Sequence, residues 1–468
     1  MTTAPAPPRP RADAAWARGG RGAWAAGACG LLLTLWLWQP GYMGFDAAYQ
    51  WQQGRQGQYH DGHPPVMAML WGVVDRVVPG PLGMFALQAV LLWTALAGIG
   101  AGIAWPPRWR ALPVLGWGLW PPLFGLVAHV WKDVWTMALF ALAVWALQAE
   151  LRRPSAWLRT AALVALLLGC AFRHNAISGA LPLVAWWAAR TLRAHALPAG
   201  RAAWRLLGLT LATALLLQLG AGLPARHPAV KRVRAVWSPV ALWDMAAVSL
   251  REDRLLFPPG FATPELTLDE LRGYFRDYSA TTIFQTGHLQ TTLYSGHSAE
   301  DVRRLLKAWL RLPVDHGRAW TAHRLRLCAL LFGWDRAGRP DFLVFAPLRY
   351  ELPGNPPLQY RPSRAQPHVM GRLSSLSGTP LFAGWLYLLL AFATVVVAVV
   401  LAARGRALPQ AGLTAAVALS CLTYSLPLTL LAGSAEFRYL AWPVLASLLA
   451  PVLLASKTPA EAPVLAGP

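Results

Sequence analysis

Long apolar runs dominate the pattern of hydrophobic and polar positions along the chain. Several of them approach about 20 residues, the length that an α-helix needs to cross the hydrocarbon core of a bilayer. The first run ends near Pro40, and nine more lie at about 82–104, 111–128, 134–150, 160–172, 176–192, 206–224, 381–402, 412–433 and 440–455. The pattern therefore predicts an all-α polytopic membrane protein with about ten transmembrane helices.

The longest polar interruption, residues 225–380, separates the last three runs from the others. About four of its segments are typical of helices. The clearest is Asp301 to Leu312, where apolar side chains fall on one face and basic side chains on the other. Ala319 to Trp334 is a second candidate. We expect a mainly helical extracytoplasmic insert.

A shorter pattern lies in the first loop, residues 41–81. Pro64 and Pro65 suit the first turn of a helix. The segment His63 to Val78 then presents a broad apolar face with Asp75 and Arg76 opposed to it. It is too short to cross a bilayer, so it predicts an interfacial helix lying on the outer membrane surface.

Composition supports the membrane interpretation. Of 468 residues, 56% are hydrophobic and 13% are charged, against roughly 25% charged in an average soluble domain. The 25 Trp residues suit the two interfacial belts of a membrane protein. The net charge of +21 is typical of nucleic-acid binders as well, but no basic patch is interleaved with base-stacking aromatic residues, so a nucleic-acid partner is not expected.

The distribution of charge predicts the orientation. Alternation through ten spans places the short loops rich in arginine on the same side as the N-terminal tail and Lys457. That side carries 16 basic residues against Asp13, Glu150 and Glu461, which makes it cytoplasmic by the positive-inside rule. Small residues from Ala25 to Gly30 precede the strongest apolar part of the first run, so we expect this helix to be retained rather than cleaved as a signal peptide.

These boundaries give a domain plan. It consists of a disordered basic cytoplasmic tail at 1–20, an N-terminal transmembrane catalytic module at 21–224, the insert at 225–380, C-terminal transmembrane helices at 381–455 and a cytoplasmic tail at 456–468.

Polar groups close to the spans collect on the predicted outer side, in turns of only a few residues. Ionisable groups at such helix ends are costly unless they are paired or line a wet cavity. The candidates are Asp46, His60, Asp61, His63, Lys132, Asp133, Arg173, His174, Asn175, Glu436, Arg438 and Tyr439.

Two carboxylates beside three cations indicate one kind of chemistry. Asp46 or Asp133 can take the proton from an attacking hydroxyl. Lys132, Arg173 and Arg438 can hold a phosphate or diphosphate, an arginine in bidentate fashion. At a membrane surface the natural phosphate donor is a lipid phosphate.

Each candidate also has a purely structural alternative. Asp46 can cap a helix, Lys132 and Asp133 can form an interfacial pair, Arg173 can extend to lipid headgroups, and Glu436 can pair with Arg438.

The spacing of His60, Asp61 and His63 is one that a metal ion can use. The spacing leaves a divalent metal as an alternative, but the entry to a helix through His63, Pro64 and Pro65 is the favoured interpretation.

At these motifs the chain resembles the GT-C superfamily of polytopic glycosyltransferases, which includes protein O-mannosyltransferases and lipid A aminoarabinose transferases. The family carries an Asp in the first outer loop, which Asp46 matches, and a second acidic residue in the next outer turn, which Asp133 matches. Lys132-Asp133, Arg173-His174-Asn175 and Glu436-Phe437-Arg438-Tyr439 resemble bacterial members. Many members carry an acidic pair in the first loop, whereas Asp46 is followed by Ala47.

The resemblance implies transfer of a sugar, with inversion, from a polyprenyl-phosphate donor to a glycan, lipid or protein acceptor. The expected location is the outer face of a bacterial cytoplasmic membrane. Two other hypotheses remain open: a transporter or flippase of lipid-linked sugars, and a non-catalytic envelope assembly subunit. Clustering of Asp46, Lys132, Asp133 and Arg173 in one cavity would favour the enzyme, and scatter around the rim would favour the subunit.

Overall fold

A computed structural model describes residues 20–193, 199–292, 296–404 and 409–456. Almost all of the predicted N-terminal and C-terminal tails lie outside these ranges. The described chain is mostly helical, with 18 helices and about 3% strand, which confirms the predicted secondary-structure class.

Ten helices or helix pairs occupy the positions of the ten predicted spans. We number the helices in chain order. They are α1 (Arg21–Trp38), α4 (Leu82–Ala101), α5 (Ala111–Gly118) with α6 (Pro121–Val127), α7 (Lys132–Arg152), α8 (Ala156–Phe172), α9 (Ala176–Arg193), α10 (Ala199–Ala221), α16 (Gly384–Ala403), α17 (Pro409–Leu431) and α18 (Ala441–Ala455).

Six helical stretches among the described residues are long and apolar enough to cross a membrane. They are Leu82–Ala101, Lys132–Arg152, Arg201–Ala221, Gly384–Ala403, Gln410–Leu431 and Phe437–Ala455. Ala156–Phe172 is a shorter apolar helix. These helices indicate a membrane protein, whereas the count of ten spans and their orientation remain predictions.

The run at 111–128, predicted as one span, is divided into α5 and α6. Trp120 adopts an extended conformation, with ψ at 120°. It precedes Pro121, and a residue before proline avoids the helical region because the proline ring collides with it. The prediction of a single continuous helix there was wrong for this reason.

The first loop contains two short helices, α2 (Phe45–Gln56) and α3 (Val66–Val74). They cross where Gly54 and Gly72 meet, and a Cβ on either glycine would lie 2.5 Å from a backbone oxygen of the opposite helix. Only glycine permits so close an approach. A helix is present within the segment His63 to Val78, as predicted, but it covers only Val66–Val74.

The long helices pack as neighbours around one core. The main pairs are α7 with α8, α9 with α17, α17 with α18, α16 with α17, α1 with α4, and α4 with α7. Trp93 shows how closely they fit, because its ring fills the space against Gly30 and Gly118, and its indole N–H donates to Thr34 at 2.9 Å.

Within residues 225–380, the described positions contain five α-helices, namely α11 (Ser238–Arg251), α12 (Leu268–Tyr274), α13 (Ala299–Asp315), α14 (Gly317–Phe332) and α15 (Gln366–Ser377). The helix predicted at Asp301 to Leu312 starts slightly earlier, because Ser298 and Asp301 form a capping box. The helix predicted at Ala319 to Trp334 corresponds to α14.

The insert is joined to the first loop and to the helical bundle at several points. A short parallel pair forms between β1 (Tyr59–His60) and β2 (Val230–Lys231). Met43 donates its backbone N–H to Leu348 at 3.0 Å, and Tyr350 donates to Met43 at 2.9 Å. The insert therefore packs directly against the loop that carries Asp46.

Candidate active site

A cavity of about 430 Å³ lies where the first loop, the insert and the ends of several long helices meet. It contains most of the predicted site residues. The lining includes Asp46, His63, Lys132, Arg173, His174, Asn175, Glu436, Arg438 and Tyr439.

Helix ends place the charged side chains of the cavity. Asp46 lies in the first turn of α2, where the positive end of the helix dipole favours a carboxylate. Lys132 is the first residue of α7, and Arg173 follows the last residue of α8 in an extended conformation. Arg438 lies in the 3-10 turn Phe437–Leu440 before α18. The sequence prediction that these groups lie at helix ends is confirmed.

The carboxylate of Asp46 lies between Arg438 and His63. Its Oδ2 accepts a hydrogen bond from Arg438 Nη2 at 3.0 Å, and its Oδ1 lies 3.6 Å from His63 Nε2. Burial by itself raises the pKa of Asp46, but Arg438, His63 and Lys132 outweigh it and hold the pKa well below 3.8. Asp46 is therefore an ionised carboxylate, with 23% of its side chain exposed to the cavity.

Lys132 determines which ring nitrogen of His63 carries the proton. Lys132 Nζ lies 2.8 Å from His63 Nδ1, and an ammonium group can only donate, so Nδ1 accepts. Burial lowers the pKa of His63 from 6.5, and Lys132 lowers it further against the opposing effect of Asp46. The neutral ring then carries its proton on Nε2, the nitrogen that faces Asp46.

Asp133 lies behind the cavity wall. It pairs with Arg173 Nη1, is 2% exposed and does not belong to the described lining of the cavity. Arg173 Nε also donates to Asn175 Oδ1 at 2.8 Å. That Asp133 assists Asp46 in catalysis stays a prediction. In the structure its carboxylate pairs with Arg173.

The motif from Ser434 to Tyr439 forms a network of its own. Glu436 binds Arg438 Nε, as the structural alternative anticipated, and Arg438 continues to Asp46. Ser434 Oγ lies 2.8 Å from both Glu436 Oε1 and Tyr439 OH. The Tyr439 ring contacts two guanidinium groups, with Arg173 at 4.7 Å and Arg438 at 5.6 Å from its centroid.

The insert supplies one wall of the cavity, which sequence reasoning missed. Ala280 donates its backbone N–H to Gly433 at 2.7 Å, and Ala435 donates to Tyr278 at 2.9 Å. Ser279 and Thr281 line the cavity beside this junction. No motif marks these residues, because the contact joins segments that are more than 150 positions apart.

His60 and Asp61 do not belong to the described lining of the cavity. His60 accepts the N–H of Gly62 at 3.1 Å and contacts Gln53 at 3.2 Å, while Asp61 accepts the backbone N–H of Val233. His63 faces Asp46 instead. The spacing of these three residues therefore does not form a metal site, and no group of three or more His, Cys, Asp or Glu within the described ranges is arranged to hold one.

Two of the three cationic side chains at the cavity are paired with carboxylates. Arg438 contacts Asp46 and Glu436, and Arg173 contacts Asp133. Lys132 differs, because its hydrogen-bonded partner, His63, is neutral. Among the three cations described here, Lys132 is therefore the best placed to take an anionic ligand group.

Comparison of the chain with protein-family models, with curated proteins and with solved structures gives no match.

Proposed function

We propose that the protein is a membrane glycosyltransferase that moves a sugar from a polyprenyl-phosphate donor to an acceptor hydroxyl on the outer face of the cytoplasmic membrane. One observation carries the proposal. An ionised carboxylate, Asp46, shares a cavity with Lys132 and Arg438, which lie at the starts of membrane-length helices, and with Arg173, which follows the shorter apolar helix α8. Such a cavity offers a proton acceptor and phosphate-binding groups within one reaction space.

In the proposed reaction Asp46 takes the proton of the acceptor hydroxyl. The acceptor oxygen attacks the anomeric carbon as the bond from that carbon to the phosphate oxygen breaks, and the electron pair of that bond leaves with the phosphate. Lys132 stabilises the charge that develops on the leaving group, with Arg173 beside it. Attack opposite the leaving group inverts the anomeric centre.

His63 serves as a positioning residue in this scheme. Its Nε2–H faces Asp46 while its Nδ1 accepts from Lys132. The imidazole therefore connects the base to the phosphate-binding cation and sets the orientation of both.

The apolar part of the cavity supports a lipid-linked donor. Pro427, Leu428 and Leu431 of α17 line the same cavity as the charged groups. Leu431 is half exposed, so this wall continues onto the outer surface of the helix. A polyprenyl chain lying along α17 would leave its phosphate near Lys132.

The insert supports a role in acceptor binding. Ser279 and Thr281 supply hydroxyl groups to the wall formed at the junction of the insert with Gly433. We assign residues 225–380 the role of a platform for a glycan, lipid or protein acceptor.

The position of the charges supports an enzyme over the two alternatives. Three of the four residues whose clustering favours the enzyme, Asp46, Lys132 and Arg173, line one cavity. The fourth, Asp133, lies outside its described lining and pairs with Arg173. A transporter places its polar groups near mid-membrane depth, whereas these groups lie at helix ends.

The test is a transfer assay with the full-length protein in lipid nanodiscs. It uses a panel of polyprenyl-phosphate-linked hexoses and aminosugars with a cell-envelope extract as acceptor. We expect labelled product from at least one donor, and loss of about 10²–10⁴ in rate for Asp46→Asn, the range that a general base contributes.

Asp269→Asn is the matched control, because that side chain is 93% exposed on the insert. Near-normal turnover of Asp46→Asn, or no transfer from any donor by the folded protein, would overturn the proposal.

A further inference from the structure

A second cavity, of about 270 Å³, lies at the opposite end of the helical bundle. It is formed by the start of α1 and the ends of α4 and α7. Its described lining consists of Gly20, Trp24, Gly98, Ala101, Gly102, Trp145, Gln148, Ala149 and Arg152. Lys132 and Arg152 begin and end α7, so the two cavities are separated by about 30 Å along that helix, at about 1.5 Å per residue.

Gln148 is the feature that points to a ligand. Its side chain is 2% exposed, yet neither its Oε1 nor its Nε2 has a hydrogen-bond partner. A buried amide without partners is destabilising, and native proteins rarely leave one so. Gln148 lines the cavity, so a bound group inside it could satisfy the donor and the acceptor together.

Two glycines keep the space beside Gln148 open. A Cβ on Gly102 would lie 2.7 Å from Gln148 Oε1 and 2.8 Å from Arg152 Nη1. A Cβ on Gly98 would lie 2.2 Å from the Trp145 ring. The absence of side chains at these positions allows the amide and the guanidinium to converge on the cavity.

The chemistry of the lining selects the class of ligand. Arg152 offers a guanidinium fork that matches phosphate oxygens, and Gln148 adds an amide donor. Gly20 lies at the N-terminus of the 18-residue α1, whose first backbone N–H groups have no helical acceptor. Trp24 and Trp145 meet edge to face at 5.8 Å, as indoles do at a membrane interface.

We propose that this cavity binds the phosphate headgroup of an anionic phospholipid. The headgroup phosphate lies between Gln148 and Arg152, and the acyl chains extend into the bilayer past Trp24. This site is independent of the proposed transferase activity.

The experiment is native mass spectrometry of the delipidated full-length protein titrated with phosphatidylglycerol, phosphatidylcholine or sodium phosphate. We expect phosphatidylglycerol to bind about tenfold or more tightly than phosphatidylcholine. Gln148→Leu and Arg152→Gln should each weaken it about tenfold, the effect of losing a hydrogen bond to a charged group. Arg153→Gln, an exposed neighbour outside the cavity lining, should change binding less than about twofold.

Gly102→Ala provides a second measurement that removes no polar group. Its methyl group should displace the Gln148 and Arg152 side chains and weaken phosphatidylglycerol binding, whereas Gly22→Ala, where a Cβ meets nothing closer than 3.6 Å, should not. Equal binding of both lipids, unchanged binding by Arg152→Gln and Gln148→Leu, or sodium phosphate binding as tightly as phosphatidylglycerol would overturn the assignment to a lipid.

Discussion

The cavity cluster Asp46–His63–Arg438 and the insert cluster Asp244–His323–Arg324 are built from the same three residue types. In each, an aspartate lies between a histidine Nε2 and an arginine Nη2. Burial raises the pKa of both carboxyls, and neighbouring groups lower it below 3.8: chiefly Arg438 and His63 for Asp46, and His323 and Arg324 for Asp244. The two clusters therefore have closely similar local electrostatics.

They differ in enclosure. Asp244 is 0% exposed, and its Oδ2 accepts from Trp309 at 2.7 Å and Trp320 at 3.3 Å, as well as from Arg324. These bonds tie together α11, α13 and α14. Asp46, by contrast, keeps part of its carboxylate open to a cavity. The two clusters differ in the space beside the carboxylate and not in the types of charged residue. Room for a substrate therefore distinguishes the candidate catalytic cluster from the structural one.

The largest stability effect is expected from Asp244→Asn. Neutralising this carboxylate leaves Arg324 buried without a counter-charge, which typically costs about 3–5 kcal/mol. Chemical unfolding of the purified protein in detergent measures the free energy. Asp277→Asn, which removes a partly exposed partner of Arg326, should cost about 1 kcal/mol or less.

Asp46→Asn should lower the free energy of unfolding by only about 1 kcal/mol, because Arg438 keeps its contact with Glu436. If Asp46→Asn destabilised the protein as much as Asp244→Asn, the proposed division between the two clusters would be wrong.

A smaller effect is expected from Lys132→Met, which keeps the length of the side chain and removes its charge. Loss of one charge-assisted contact to the donor phosphate should raise the KM for the lipid donor about 10–100-fold. Steady-state transfer kinetics at varied donor concentration measure this. Lys307→Met, on α13 of the insert, is the control, and an equal rise in KM for both variants would contradict a specific role for Lys132.

The smallest expected effect is the dependence of the transfer rate on pH, which tests the protonation state of His63. Because burial and Lys132 lower the pKa of His63 below 6.5, protonation of the ring is centred below pH 6.5. Protonated Nδ1 can no longer accept from Lys132. The transfer rate should therefore decline with a midpoint below pH 6.5. The folded state should also lose stability as the pH falls below 6.5, because the unfolded chain binds that proton more readily.

His63→Gln tests this assignment, since a glutamine amide can accept from Lys132 and donate to Asp46. Its pH–rate profile should lack the acid decline near the wild-type midpoint. A decline centred above pH 6.5 in the wild type, or the same decline in His63→Gln, would show that another group titrates.

Much of the candidate site could be predicted from local sequence. Lys132, Arg173 and Arg438 stand beside apolar runs, and Asp46 follows the first run after a short segment. Charged groups in such positions are costly unless they share a polar space at the helix ends. Pairing of Glu436 with Arg438 was also foreseeable from their spacing.

Other features depended on contacts that no local pattern encodes. Asp133 stands beside Lys132 in the sequence, but successive positions on a helix point about 100° apart, so Lys132 faces the cavity while Asp133 turns towards Arg173. His60 and His63 separate for a similar reason, since the loop between them turns before α3. Ser279 and Thr281 reach the cavity only through the pairing of the insert with Gly433.

The sequence by itself determined the helical class, the positions of the apolar helices and the residue types available for chemistry. Periodicity, length and the transfer of apolar side chains out of water act locally, and they can be read from neighbouring positions. Tertiary structure decided which of two Asp–His–Arg clusters is open and which is sealed. That outcome depends on how distant segments pack, because enclosure is a property of the space between elements and not of any one of them.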